Sequence, residues 1–245
     1  MLKDNKWRNP AAIVECEWLF NRLGDENIRI FDCTTYLHYT DDDPSKPYDV
    51  ESGFSDYKKN SIPGAAFIDV QNDLSDQNSI YSLTLPNFQR LSESIKHLGI
   101  GDPYHVILYA RNGMQWATRV WYLLHAIGYE NVSILNGGFK EWARLNFPIE
   151  PGRKTYAPAE FDLKTKEAMF VDKNDILKAI NDDKTIIINS LTEDIHLGQS
   201  RRYGRPGRIP KSINIPFHTL VDRETGKFKQ PEDAYNIFTS HGVAL

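Results

Sequence analysis

Cysteine is scarce in this 245-residue chain, which has two, Cys16 and Cys33. They form no C-x-x-C pair. That excludes a thioredoxin-type motif and a cysteine zinc site, and two thiols make no disulfide scaffold for a chain this long. The seven histidines show no H-E-x-x-H or similar spacing, so no metal site is expected. Long apolar runs are missing. The longest, such as residues 185–189, are strand-sized and cannot cross a bilayer, so no membrane partner is expected. The N-terminus lacks the apolar core of a signal peptide, which makes a reducing cytoplasm the expected location. Positive charge is not in excess either. Net charge is −4, with no basic stripe interleaved with aromatics, which argues against nucleic acid as partner.

What is present is 40% apolar, enough to build real cores. Helix and strand signals alternate, which predicts an α/β fold with a mostly parallel sheet. A helix is expected over residues 15–23, stopped by Gly24, then a strand over 28–33. Residues 40–53 are polar and contain proline, and read as an inserted loop. A turn at 62–65 feeds a strand at 66–68. Leu85-Pro86 opens a helix with Phe88, Leu91, Ile95 and Leu98 on one face, closed by Gly99. A strand over 106–109 then runs into a compact turn holding Asn112 and Gly113, with an amphipathic helix at once. That is an anion cradle at a helix mouth, yet the residue where a nucleophile would stand is Ala110. A strand at 132–135 and the turn Asn136-Gly137-Gly138 lead to a helix around Phe139 and Trp142.

Residues 148–158 are rich in Pro, Gly and Lys without periodicity, and read as a linker. Beyond them the landmarks recur. Ile62-Pro63 is echoed by Ile209-Pro210, Leu85-Pro86 by Gln230-Pro231, and Gly99-Ile100 by Gly242-Val243, at offsets of 147, 145 and 143. Three landmarks in one order predict a duplicated domain. The expected division is a degenerate domain over 1–150, a linker over 151–158 and a partial second domain over 159–245. The counterpart of Ala110 would fall beyond Leu245, so the second cradle is expected to lie outside these residues.

These segments resemble the tandem-domain rhodanese sulfurtransferases, which act on thiosulfate or 3-mercaptopyruvate. The resemblance rests on YKKNSIPGA (57–65), LSD (74–76), LGIGD (98–102), Gly113-Met114 with WATRVW (116–121), LNGGF (135–139) with Trp142, YGRPGRIPKSINIP (203–216) and TGKF (225–228). It implies two rhodanese-like domains, each a parallel sheet flanked by helices, the second truncated. It also implies sulfur transfer through a cysteine persulfide, with a small anionic sulfur donor and a thiophilic acceptor as partners and no cofactor. A cradle of inward N–H groups stabilises such a thiolate and persulfide. The family often carries His before Ile-Pro, where this chain has Ser61 and Arg208. At the strand end of the second domain it has Asn189 and Leu191 in place of an acid and an arginine.

No catalytic residue is expected within the chain. Cys33, after a strand, and Cys16, near a helix start, read as small buried hydrophobes rather than sulfur carriers. Arg201, Arg202, Arg205 and Arg208 form a cationic run that is either a solvated loop or a guide for anionic substrates, with Arg202 the leading candidate. Arg111 and Arg119 flank the first cradle and are expected in an ion pair at the domain interface, or holding an anion. Asp32 is expected to cap a turn or pair with an arginine. Trp116, Trp121 and Tyr122 are expected in the core and at the domain interface. Two alternatives to sulfur transfer remain: a non-catalytic anion- or protein-binding module of rhodanese type, and a relative of the phosphatases that share the fold. The latter also needs a cradle cysteine.

Overall fold

Short apolar runs bounded by turn residues become the strands of a five-stranded, all-parallel sheet. The structure, a computed structural model, describes residues 7–40 and 46–243. In chain order the elements are β1 (Ile13–Val14), α1 (Cys16–Phe20), β2 (Ile28–Asp32), β3 (Thr35–Tyr39), β4 (Tyr48–Ser52), α2 (Phe54–Lys59), β5 (Ala66–Phe67), α3 (Phe88–His97), β6 (His105–Tyr109), α4 (Gln115–Ala126), β7 (Val132–Leu135) and α5 (Gly138–Arg144). After these come α6 (Lys173–Ala179), β8 (Ile188–Asn189), α7 (Glu193–His196), β9 (Ile213–Asn214) and α8 (Pro231–Ser240). The sheet order is β1-β7-β6-β2-β5. Strand side chains alternate between two helical layers, as a parallel sheet buried on both faces requires. Phe31, Val106 and Leu108 pack with α3 and α4, whereas Ile30, Ile107 and Tyr109 pack with α1 and α5.

The helix expected from Leu85-Pro86 begins later, at Phe88, because the Asn87 side chain caps it by accepting from the Arg90 amide at 2.8 Å. Residues 40–53 are not simply an inserted loop. Residues 48–52 form β4, which pairs antiparallel with β3, and the Tyr39 and Tyr48 rings meet edge to face at 6.4 Å. The polar composition concealed a hairpin because its faces are half solvated and its stability comes from cross-strand pairs. Residues 41–45 of that expected loop lie outside the described residues.

The expected linker is a strap. Its Gly152 amide donates to the Tyr57 carbonyl at 3.0 Å. The Tyr156 hydroxyl donates to the Gly64 carbonyl at 2.8 Å and accepts from the Ile30 amide at 3.0 Å. Arg29 donates to the Ala157 carbonyl at 2.9 Å. Farther on, the Lys164 amide donates to the Ile127 carbonyl at 3.0 Å, and Phe161 is buried in the larger core. A Pro/Gly-rich segment without periodicity can still be ordered when a sheet end satisfies its backbone groups.

Past the strap, β8 and β9 form a parallel pair, with Ile188 opposite Ile213. Their hydrogen bonds echo the larger sheet. The Ile68 amide donates to the Asp32 carbonyl at 2.9 Å, and the Ile215 amide donates to the Asn189 carbonyl at 3.0 Å. Ile186, Ile188 and Leu191 are exposed.

Two outcomes are expected. Tyr156→Phe removes both strap bonds and should cost about 1–3 kcal/mol in urea unfolding; an unchanged midpoint would mean the strap is passive. Burial holds His105, His125 and His196 below the ordinary imidazole pKa. The unfolded chain then binds more protons than the folded one below about pH 6.5, so stability should fall as pH drops through that value. Thermal unfolding at constant ionic strength tests this, and a midpoint that rises between about pH 7 and 5.5 contradicts it.

Candidate functional site

Strands β2 and β6 end side by side, with Asp32 opposite Tyr109, and the turn 110–114 leaves from that edge into α4. Ala110 is buried, and its carbonyl accepts from the Phe139 amide at 3.1 Å. Gly138 has φ +58, and a Cβ there would sit 2.5 Å from the Ala110 oxygen, so only glycine lets the 136–138 turn close on the cradle. Asp32 is fully buried, and its carboxylate accepts from the Thr34 amide at 2.9 Å, from the Thr34 hydroxyl, and from Arg111 Nε at 3.3 Å. Arg111 also donates to Asn60 Oδ1 at 2.8 Å and to the Asn60 carbonyl, with its guanidinium 3.8 Å from the Phe139 ring centre. Burial raises the Asp32 carboxyl, and the Thr34 bonds and Arg111 charge oppose it. Asp32 thus both caps a turn and pairs with an arginine, as expected. Arg111 departs from expectation: its ion pair with Asp32 lies at the end of one sheet, and three of its five N–H donors go to Asp32 and Asn60.

Neither cysteine has a nucleophile's surroundings. Both are fully buried. Burial, then the Glu141 charge, pushes the Cys16 thiol up to about 12, and its Sγ donates to the Asn136 carbonyl at 3.6 Å. Burial pushes the Cys33 thiol well above its ordinary value too. A reactive thiol needs the opposite environment, electropositive and open.

The four candidate arginines do not converge. Arg205 and Arg208 line a cavity of about 760 Å³ with Asn189, Ser190, Leu191 and Tyr203, and that cavity has no Asp or Glu among its described walls. Arg208 also donates to the His196 carbonyl at 3.3 Å. Arg202, the leading candidate, instead stacks 3.7 Å from the Tyr39 ring centre on the β3–β4 hairpin. Arg201 is exposed outside the cavity walls.

Residues 15–145 match the Rhodanese-like domain family. The chain belongs to the rhodanese family. It is 30% identical over 243 residues to 3-mercaptopyruvate sulfurtransferase of Homo sapiens, covering 96% of this chain and 78% of that one. It is 29% identical to 3-mercaptopyruvate sulfurtransferase of Escherichia coli (strain K12), covering 94% and 79%. It is 26% identical to thiosulfate sulfurtransferase of Gallus gallus, covering 96% and 79%. Among solved structures, SseA from Escherichia coli, described among the 3-mercaptopyruvate sulfotransferases, superposes with a TM-score of 0.77 at 26% identity, over 95% of this chain and 84% of that one.

On this rhodanese fold the remaining expectations sort by packing. Trp116 is in the larger core, against which Val221 and Phe228 also pack, and Trp121 donates from Nε1 to the Val132 carbonyl at 3.2 Å. Tyr122 donates to the Met169 carbonyl at 2.5 Å, and Arg119 donates to the Leu83 carbonyl. The residues that do join the larger sheet to the β8–β9 region were not foreseen. Lys227 bridges Glu15 at 2.8 Å and the buried Glu141 at 3.4 Å. The Phe228 amide donates to Asn136 Oδ1 at 2.9 Å, and Lys140 donates to the Arg223 carbonyl at 2.8 Å. The LNGGF and TGKF segments were each visible; that they meet was not.

The thiol environments make a direct prediction. A disulfide reagent should titrate neither thiol in the native protein and both in denaturant, and fast native labelling of Cys16 or Cys33 would refute the burial argument.

Proposed function

We propose that this rhodanese is built as two tandem rhodanese-like domains, residues 1–150 and 159–245 about the strap segment 151–158. We propose further that it serves sulfur transfer from thiosulfate or 3-mercaptopyruvate to a thiophilic acceptor. The recurrence of backbone bonds supports the duplication. The Ala65 amide donates to the Ile62 carbonyl at 3.0 Å as Ser212 does to Ile209 at 3.1 Å, and the Ile100 amide donates to the Ile95 carbonyl at 3.1 Å as Val243 does to Phe238 at 3.1 Å. Two unpaired, buried thiols suit a reducing compartment.

The observation that carries the function is the cavity beside β8 and β9, walled by Arg205 and Arg208 without a carboxylate. Forked cations there suit a sulfonate-like or carboxylate donor. In the transfer itself a thiolate attacks the outer sulfur of thiosulfate, the S–S bond breaks and sulfite leaves. The acceptor then takes that sulfur from the persulfide and regenerates the thiolate. Cys16 and Cys33 are not that thiolate. The carrier belongs to the second cradle, which falls outside residues 1–245 in this reading, so these residues alone should be inactive. Ala110 favours a second reading, a non-catalytic module that binds an anion or a protein.

The test is a thiosulfate:cyanide assay. The 245-residue chain should give no turnover, and turnover lost on Cys16→Ser or Cys33→Ser would overturn the assignment. If the reading frame continues past Leu245 into a turn with cysteine, the extended chain should transfer sulfur and lose activity on replacing that cysteine by alanine. If no such turn exists, sulfur transfer fails and the module reading stands.

A further inference from the structure

The geometry points to a second small-oxyanion site, separate from the Arg205–Arg208 cavity, where the Ala110 cradle meets the 217–226 segment. We propose that it binds a doubly charged oxyanion of the sulfate or thiosulfate class between the two domains. A cavity of about 440 Å³ opens there, walled by residues 111–115, Gly137 and Lys140 on one side and by Phe217, His218, Val221, Asp222, Arg223 and Gly226 on the other. The two sides meet backbone to backbone. A Cβ on Gly137 would lie 2.9 Å from the Thr225 carbonyl, and one on Gly226 would lie 3.4 Å from the Gly137 carbonyl. Side chains at these glycines would push the walls apart.

Charge decides the ligand class. Arg111 is balanced by Asp32. The cavity's one carboxylate, Asp222, accepts from the Thr225 amide and hydroxyl at 2.7 Å each and from the Glu224 amide at 3.1 Å, and these bonds hold it below the usual range. Lys140 and Arg223 put two exposed cations on opposite walls, and Asp222, kept ionised by those bonds and by the Lys140 charge, leaves one net positive charge among the described walls beyond the Arg111–Asp32 pair. The Lys140 ammonium is pinned at the seam by its bond to the Arg223 carbonyl, which uses one of its three N–H groups. His218 adds a further polar group to the same wall. The cavity exceeds the volume of one tetrahedral oxyanion, so the ion sits with bridging waters. Bound there, it touches both domains, so occupancy stabilises their docking by linkage.

Calorimetry and amide NMR on the 245-residue chain, titrated with sodium thiosulfate and with sodium sulfate at ionic strength balanced by chloride, test the site. Saturable binding is expected, with amide shifts confined to residues 111–115, 137–140 and 217–226. Lys140→Ala and Arg223→Ala should each weaken it about tenfold, as loss of one charge-assisted contact does. Both positions are exposed, so an unchanged unfolding midpoint in the absence of the anion excludes a folding defect. Shifts centred on Ser190, Arg205 and Arg208 and lost in Arg205→Ala would overturn the proposal, and so would the absence of saturable binding. The test uses no cysteine and no turnover, so it succeeds or fails independently of sulfur transfer.

Discussion

The buried pair of Asp32 and Arg111 is the constraint around which the N-terminal sheet is arranged. A fully buried carboxylate is tolerated only when it is paired and hydrogen-bonded. Here the strand end of β2 supplies the acid, the turn after β6 supplies the cation, and Asn60, at the end of α2, accepts two more of the guanidinium donors. One ion pair therefore ties the C-terminal ends of β2 and β6 to the C-cap of α2. Removing either partner alone would strand a buried charge at a cost of about 3–5 kcal/mol. Phe139 from α5 stacks on the same guanidinium, so the turn 136–138 is held over the cradle as well.

That arrangement explains why a cradle without a nucleophile keeps its shape. Ala110 contributes a carbonyl to the Phe139 amide and a methyl group to the core. Its backbone has a structural role that any small residue fills. The turn also carries one wall of the contact made by the 217–229 segment, where Lys227 reaches Glu15 and Glu141. Loss of a nucleophile thus leaves the docking of the two halves intact.

Regular periodicity was readable because burial enforces it. The strands at 28–33, 66–68, 106–109 and 132–135, the α3 and α4 faces, and the closing glycines follow from residue order alone, since one wrong side chain would break a core. The hairpin of β3 and β4 escaped because half-solvated strands need no strict apolar alternation. The strap escaped because proline and glycine signal a lack of helix, not a lack of order. The site was legible by composition and not by direction. The run of four arginines is plain in the sequence, but which of them line the cavity, Arg205 and Arg208, is a matter of side-chain direction that a charge pattern does not carry. The Lys227 contacts span about the full length of the chain, and no local signal encodes them.

The contrast between Asp32 and Asn189 carries the argument one step further. Both end a strand, and both use a side-chain oxygen to accept the amide two residues on, at 2.9 Å in each case. Asp32 brings a charge that must be neutralised, and Arg111 is its partner, with two further guanidinium donors going to Asn60. Asn189 brings none. Its amide turns to His196 at 3.3 Å, and Leu191 follows it. Among the described residues the cavity wall has no carboxylate, and the His196 carbonyl takes one donor of Arg208. An arginine near a buried acid is consumed by the fold; an arginine near a neutral cap keeps its field for an incoming anion. Asn189 therefore adds no negative charge to the walls of this cavity.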